Sequence, residues 1–231
     1  DLLEKINCPF YKISSFEMKH IHLIKKIAKT GKPIIISTGT SFLHEIDESF
    51  KALKKYGAKN ITILYCVSNY PSKEEDFNLN NIKILKKRYK CRIGFSDHSN
   101  DNNIAYSAAL AGAEVFEKHI AMNNQKKGFD VEFSSKGKKF GEYVKTIKKA
   151  FKLLGKEYFY RNVKENENLK FKRSIYTVED IKKGQKFNKQ NIRVIRPGYG
   201  INPLYYFKLI NKESPLNFKK YEPLKKNLLK K

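Results

Sequence analysis

The chain has 231 residues, with 48 Lys and Arg against 23 Asp and Glu, a formal charge of +25, and 40% hydrophobic residues. That length and apolar content suit one large domain, or a domain with a small appendage, around a real core. No apolar run approaches the roughly 18 residues a membrane helix needs, and the opening DLLEKINCPF lacks the layout of a signal peptide, so no membrane partner and a cytoplasmic location are expected.

A charge of this size raises nucleic acid as a partner. The lysines are nevertheless spread through LIKKIAKTGK, NNIKILKKRYK and YVKTIKKAFKLLGK, on the polar sides of helical patterns and without interleaved aromatic platforms. This predicts solvated faces rather than a specific nucleic-acid surface. Cys8, Cys66 and Cys91 lie far apart without paired spacing, so neither a zinc knuckle nor a disulfide framework is indicated.

In chain order, short β-branched runs recur at FYKIS (10–14), PIIIST (33–38), ITILYC (61–66), CRIGFS (91–96) and AEVFEKH (113–119). Between them stand stretches of helical spacing: HIHLIKKIAKTG, FLHEIDESFKALKKYG, FNLNNIKILKKRY and NNIAYSAALAG. Gly31, Gly57 and Gly112 are placed to close three of these helices. Strand and helix alternate as parallel βαβ units require. A further helix is expected through FGEYVKTIKKAFKLLG, then a polar linker over 156–170. From 171 to 231 the texture shifts to short strands and turns, which predicts a second, small, mostly β domain.

Polar residues collect at the C-terminal ends of the apolar runs: Lys12, Ser15 and Glu17; Ser37 and Thr38 before Gly39; Ser68 and Tyr70 before Pro71; Ser96, Asp97 and His98; Lys118 and His119. In a parallel α/β sheet or barrel, that edge is where ligands bind. Hydroxyls and a lysine gathered there suit a phosphate or carboxylate. Two histidines from adjacent strand ends can hold one divalent metal through neutral imidazoles. Alone, Ser-Asp-His describes a turn with a side-chain hydrogen bond, and Lys12 could be a lysine that guards a sheet edge. Gly39 fits either a backbone close to a bound oxyanion or a plain turn. His20, His22 and His44 fall on helical stretches without partners.

The motifs YKISSFE, KPIIISTG, YCVSNYP, GFSDHS and EKH, followed by RSIYTVEDIKKGQKF and IRPGYGINP, resemble the sialic acid synthase family over nearly the whole chain. The phenylalanine in SSFE, the GFSDHS wording and Ser68 resemble the pseudaminic acid synthase branch more than the N-acetylneuraminate branch. The resemblance implies a TIM barrel followed by an SAF (antifreeze-like) domain, in a domain-swapped homodimer. It implies condensation of phosphoenolpyruvate with an N-acetylated, 6-deoxy-diacetamido hexose to a nine-carbon acid, pseudaminic acid, with N-acetylneuraminate or legionaminate as the alternative products. Lys12, Ser15, Ser37, Ser68 and Ser96 would hold phosphoenolpyruvate, and Glu17 would sit close to the reacting centre. His98 and His119 would bind Mn2+ or Mg2+, with Asp97 orienting a histidine. Tyr70 and Asp130 would contact the sugar, and Arg196, with Arg173 as competitor, would reach its N-acetyl group from the other subunit.

The chain supplies about five of a barrel's eight strands. They are read as strands four to eight in residues 1–155, so a missing N-terminal half of the barrel is expected as a partner. An open half-barrel exposes an apolar edge and face, which predicts weak stability or association of these residues alone. Two other function classes stay open: another phosphate-handling barrel enzyme, and an inactive fragment or basic binding protein.

Overall fold

A computed structural model describes residues 1–229. The chain divides into two compact units, Asp1–Lys156 and Glu157–Lys231.

The first unit opens with a short helix α1 (Leu2–Lys5) and continues β1 (Tyr11–Ile13), α2 (Ile21–Ala28), β2 (Ile34–Ser37), α3 (Leu43–Lys55), β3 (Ile61–Cys66), α4 (Asn80–Tyr89), β4 (Arg92–Asp97), α5 (Asn102–Leu110) and β5 (Val115–Lys118). The five strands form one parallel sheet in chain order. A two-stranded pair, β6 (Ile120–Ala121) and β7 (Ser135–Lys136), follows, and then the long helix α6 (Gly137–Leu154). Each of the five β-branched runs lies on a strand, and each helical pattern lies on a helix. Gly31, Gly57 and Gly112 adopt φ of +71°, +102° and +107°, the left-handed geometry that lets a chain leave a helix at low cost.

Period-two alternation divides the sheet's side chains between two faces. Ile13, Ile36, Ile63, Ile93 and Phe95 pack with Ile24, Leu53, Ile82 and Leu85 of the helices in one core cluster. Between them in sequence stand Lys12, Ser37, Gly94 and Ser96, which face the other way. Both outer strands, β1 and β5, lack a further neighbour among the described residues. Phe10 and Ile120, beside those two strands, are 46% and 66% exposed. The fold of this unit is therefore an open half-barrel.

Helices α3 and α4 are tied by an ion pair on their outer side. Asp47 accepts from Arg88 Nε at 2.7 Å and from the Tyr89 hydroxyl at 2.8 Å. The Arg88 guanidinium, opposed by partial burial, holds the Asp47 carboxyl at about 2, below its ordinary 3.8. A carboxyl depressed in the folded state stabilises fully above its unfolded value and loses that contribution as pH falls through the folded one. Stability should therefore fall between those two values, and Asp47→Asn should flatten that segment of a plot of denaturation midpoint against pH.

The second unit begins with residues expected as a linker, and Val163–Phe171, which reach one residue past it, form a 3-10 helix with the Asn162 side chain accepting from Lys164 N at 3.0 Å. The small domain pairs β8 (Ser174–Thr177) antiparallel with β9 (Ile192–Ile195) and adds isolated bridges and a short helix α7 (Tyr206–Leu209). Its own core gathers Ile175, Ile181, Phe187, Ile192, Ile201 and Leu224. No helix among the described residues is long and apolar enough to cross a membrane.

Candidate active site

Because β1 to β5 run parallel, their C-terminal ends share one edge, and a cavity of about 410 Å³ opens there. It is lined by Lys12, Ser14, Ser15, Phe16, Ser37, Tyr70, Ser96, His98, Glu117, Lys118 and His119. Lys12, Ser15, Ser37, Tyr70, Ser96, His98 and His119 thus come together as the sequence predicts.

The centre of the cavity is an acid that sequence reasoning passed over. Glu117 Oε1 accepts from Lys12 Nζ at 2.9 Å and from Ser96 Oγ at 2.7 Å. Burial works against its charge, but the Lys12 ammonium and the Ser96 hydroxyl outweigh it, and the carboxyl is held below the usual carboxylate range. The signal lay in FEKH: Glu117 is in register with Ser96 and two residues before His119, so it shares their face. Lys12 therefore bridges from β1 to β5 across the mouth of the sheet. That pairing replaces the edge-guarding alternative.

Ser37 Oγ and Ser68 Oγ are buried without a hydrogen-bond partner among the described residues. Buried hydroxyls of this kind call for a ligand or ordered water, and Ser37 shares its cavity with Lys12. Ser68 lines an adjoining cavity with Thr38, Ser41 and Cys66. Gly39 lies between them. A Cβ at Gly39 would stand 2.1 Å from Ser68 Oγ and 2.9 Å from both Cys66 Sγ and Ser15 Oγ, and its N–H donates to Ser15 Oγ at 3.1 Å. The residue is glycine for space beside the site, not for a turn. Gly39→Ala should cost about 1–3 kcal/mol by overpacking and displace Ser15 and Ser68 together, read as a lower denaturation midpoint.

The two histidines lie side by side, ring centroids 5.3 Å apart. His98 is buried, and its Nδ1 donates to the Val67 carbonyl at 2.8 Å, which leaves the Nε2 lone pair on the cavity side, where the Ser96 hydroxyl lies 3.4 Å away. Burial, opposed by the Val67 bond, pushes His98 below the usual imidazole range, favouring the neutral form that a metal needs. His119 Nδ1 lies 3.5 Å from Asp130 Oδ2. The Tyr70 ring lies tilted against His98 and Phe133, with centroids 4.3 Å and 5.1 Å away, an aromatic wall of which the sequence pointed only to Tyr70. Among the described residues no group of three or more His, Cys, Asp or Glu could hold an ion. The donors are two imidazoles, which fit an ion that takes its remaining ligands from water and substrate.

Three expectations need correction or qualification. Glu17 does not line the cavity: β1 ends at Ile13, and the turn that follows buries Met18 while Glu17 stays exposed and accepts from the Ser14 hydroxyl. Asp97 makes no hydrogen bond to a histidine among the described residues. The strand's alternation points it to the opposite face from His98, where it accepts from Ser99 N at 2.8 Å and Ser99 Oγ at 2.7 Å and pairs with Lys118 at 3.3 Å. In the second unit, Arg173 and Arg196 are both exposed, and Arg173 donates to the Val194 carbonyl at 3.4 Å, so the two stay alternatives as residues to meet a ligand.

The half-barrel of parallel strands with this cavity at its C-terminal edge defines an α/β-barrel type of protein with an appended small β domain. The NeuB family model matches residues 1–158 and the SAF domain model matches residues 172–230. The chain belongs to the NeuB family and carries an SAF domain. It is 36% identical over 225 residues to a pseudaminic acid synthase of Helicobacter pylori, covering 97% of this chain and 66% of that one. It is 34% identical over 225 residues to an N,N'-diacetyllegionaminic acid synthase of Campylobacter jejuni, covering 96% of this chain and 67% of that one. A solved spore coat polysaccharide biosynthesis protein E of Chromobacterium violaceum matches with a TM-score of 0.84 at 23% identity, over 97% of this chain and 68% of that one, which supports the fold alone. The chain spans about two thirds of the length of the curated relatives it matches.

Proposed function

We propose that this chain forms most of a synthase that condenses phosphoenolpyruvate with a 6-deoxy-diacetamido hexose to give pseudaminic acid and free phosphate. The observation that carries the reading is the convergence of Lys12, Ser15, Ser37, Ser96, Glu117, His98 and His119 on one cavity at the strand ends. The family membership and the pseudaminic acid synthase relative support it.

In this reading, Lys12 and the hydroxyls of Ser15, Ser37, Ser68 and Ser96 hold the phosphate and carboxylate of phosphoenolpyruvate. Carbon 3 of the enol forms a bond to the sugar's aldehyde carbon, water adds at carbon 2, and phosphate leaves with its bridging oxygen, so that carbon 2 ends as a ketone. Glu117 would take a proton from the attacking water. His98 and His119 would hold Mn2+ or Mg2+, which supplies Lewis acidity toward the aldehyde oxygen. Tyr70 and Asp130 flank the histidines and would contact the sugar, and Arg196 would meet its N-acetyl group from a second subunit of a homodimer. The fold's open edges make a three-strand N-terminal segment the natural complement to the cavity wall.

Phosphate release tests this, with phosphoenolpyruvate, Mn2+ and each candidate sugar. The assay uses the chain alone and with the N-terminal part of the Helicobacter relative supplied in trans. Release with the pseudaminic precursor supports the reading, and release with the legionaminic or N-acetylmannosamine substrate instead reassigns the sugar. No release under any of these conditions rejects the synthase.

A further inference from the structure

The paired ends of β4 and β5 form a short ladder in which the face alternates at every step. Ser96 is in register with Glu117, and Asp97 with Lys118. Ser96 and Glu117 meet in the cavity at 2.7 Å. One residue further on, Asp97 and Lys118 meet on the opposite face at 3.3 Å, with their side chains only 1% and 6% exposed. One residue beyond that, His98 and His119 return to the cavity with ring centroids 5.3 Å apart. The buried ion pair is the step immediately before the two imidazoles.

Its surroundings allow it little freedom. Lys118 Nζ also donates to the Ser99 carbonyl and sits 5.5 Å from the centre of the buried Tyr143 ring of α6. Asp97 Oδ1 takes both the N–H and the hydroxyl of Ser99. One lysine therefore fastens the end of β5 to the end of β4 and to the loop that leaves it. Lys118 contributes to the cavity lining, but the hydrogen bonds of Asp97 Oδ1 and Lys118 Nζ go to Ser99 and to none of the lining hydroxyls.

We infer that Asp97 and Lys118 are positioning residues: their buried ion pair fixes the ends of β4 and β5 to each other and so sets the separation of His98 and His119. The inference rests on the reading of those histidines as a joint metal site, and it adds two residues that act through the strand ends rather than as metal ligands.

The test compares Lys118→Met, Lys118→Arg and the double variant Asp97→Asn with Lys118→Met in the full chain. Breaking one partner of a buried pair leaves an uncompensated charge, whereas removing both charges together is often neutral for stability. Lys118→Met should therefore melt early, and the double variant should recover the melting temperature. Two readouts are taken at one pH: long-range proton–nitrogen spectra of the imidazoles without metal, and titration with Mn2+ followed by its paramagnetic signal. The double variant should keep the signals of His20, His22 and His44, yet shift or broaden those of His98 and His119, and it should bind Mn2+ about 10–100-fold more weakly. Lys118→Arg should restore both. If the double variant regains its melting temperature together with unaltered His98 and His119 spectra, the pair is only structural and the inference is overturned. If the native chain does not bind Mn2+, the metal reading fails, and the metal-free spectra still decide whether the pair positions the histidines.

Discussion

Glu117→Gln is expected to lower phosphate release from phosphoenolpyruvate by about 10²–10⁴-fold, the range a positioned acid or base contributes. The substitution keeps the shape of the side chain and removes its charge. Glu117 now accepts from both Lys12 and Ser96, so the amide would leave the Lys12 ammonium without its counter-charge and present a donor where an acceptor is needed. Two effects then separate. In the proposed reaction, loss of the proton acceptor would lower kcat, while a Lys12 freed from its carboxylate would bind the substrate's phosphate at least as well, so KM should stay level or fall. Lys12→Met should reverse the split, because it removes the cation proposed to meet the phosphate, and its loss should appear in KM. Steady-state phosphate release for the two variants checks this, and a rise in KM with unchanged kcat for Glu117→Gln would reassign that residue from chemistry to binding.

The location of the site was legible in the sequence and its centre was not, for a physical reason. Strand order, helix order and the edge on which ligands gather all follow from period-two and helical patterns, which burial enforces at every position. Ser15, Ser37, Ser96, His98 and His119 could be placed because each closes an apolar run. Glu117 lies inside its strand, so a rule built on strand ends points past it to Lys118 and His119. The register that sets it beside Ser96 is a property of two strands, and a single strand does not contain it. Asp97 shows the same limit from the other side. Adjacency in sequence suggests that it serves His98, but neighbours in a strand face opposite ways, and its partner comes from the next strand. Glu17 followed a turn rather than a strand, and turns fix direction through local hydrogen bonds such as the one from Ser14. Gly39 could be read as a turn or as a close approach until the atoms around its missing Cβ were placed.

Removing either imidazole should weaken Mn2+ binding by more than about 100-fold, since contacts one shell further out alone are worth roughly 10–100-fold. The two histidines should differ in everything else. His98 is buried, its Nδ1 donates to the Val67 carbonyl at 2.8 Å, and its ring lies 4.3 Å from Tyr70. His98→Ala would leave that carbonyl without its donor and a void against the aromatic wall, costing about 1–3 kcal/mol from the unsatisfied group alone. The His119 side chain is 35% exposed and faces Asp130 at 3.5 Å, a pair open to solvent, so His119→Ala should melt with the native chain. The combination is diagnostic: equal loss of Mn2+ binding with unequal loss of stability marks two ligands of one ion held by different means. Mn2+ titration beside thermal denaturation of both variants reads it directly. Unchanged Mn2+ affinity in both would take the metal out of this cavity and leave the imidazoles as hydrogen-bonding groups beside Tyr70.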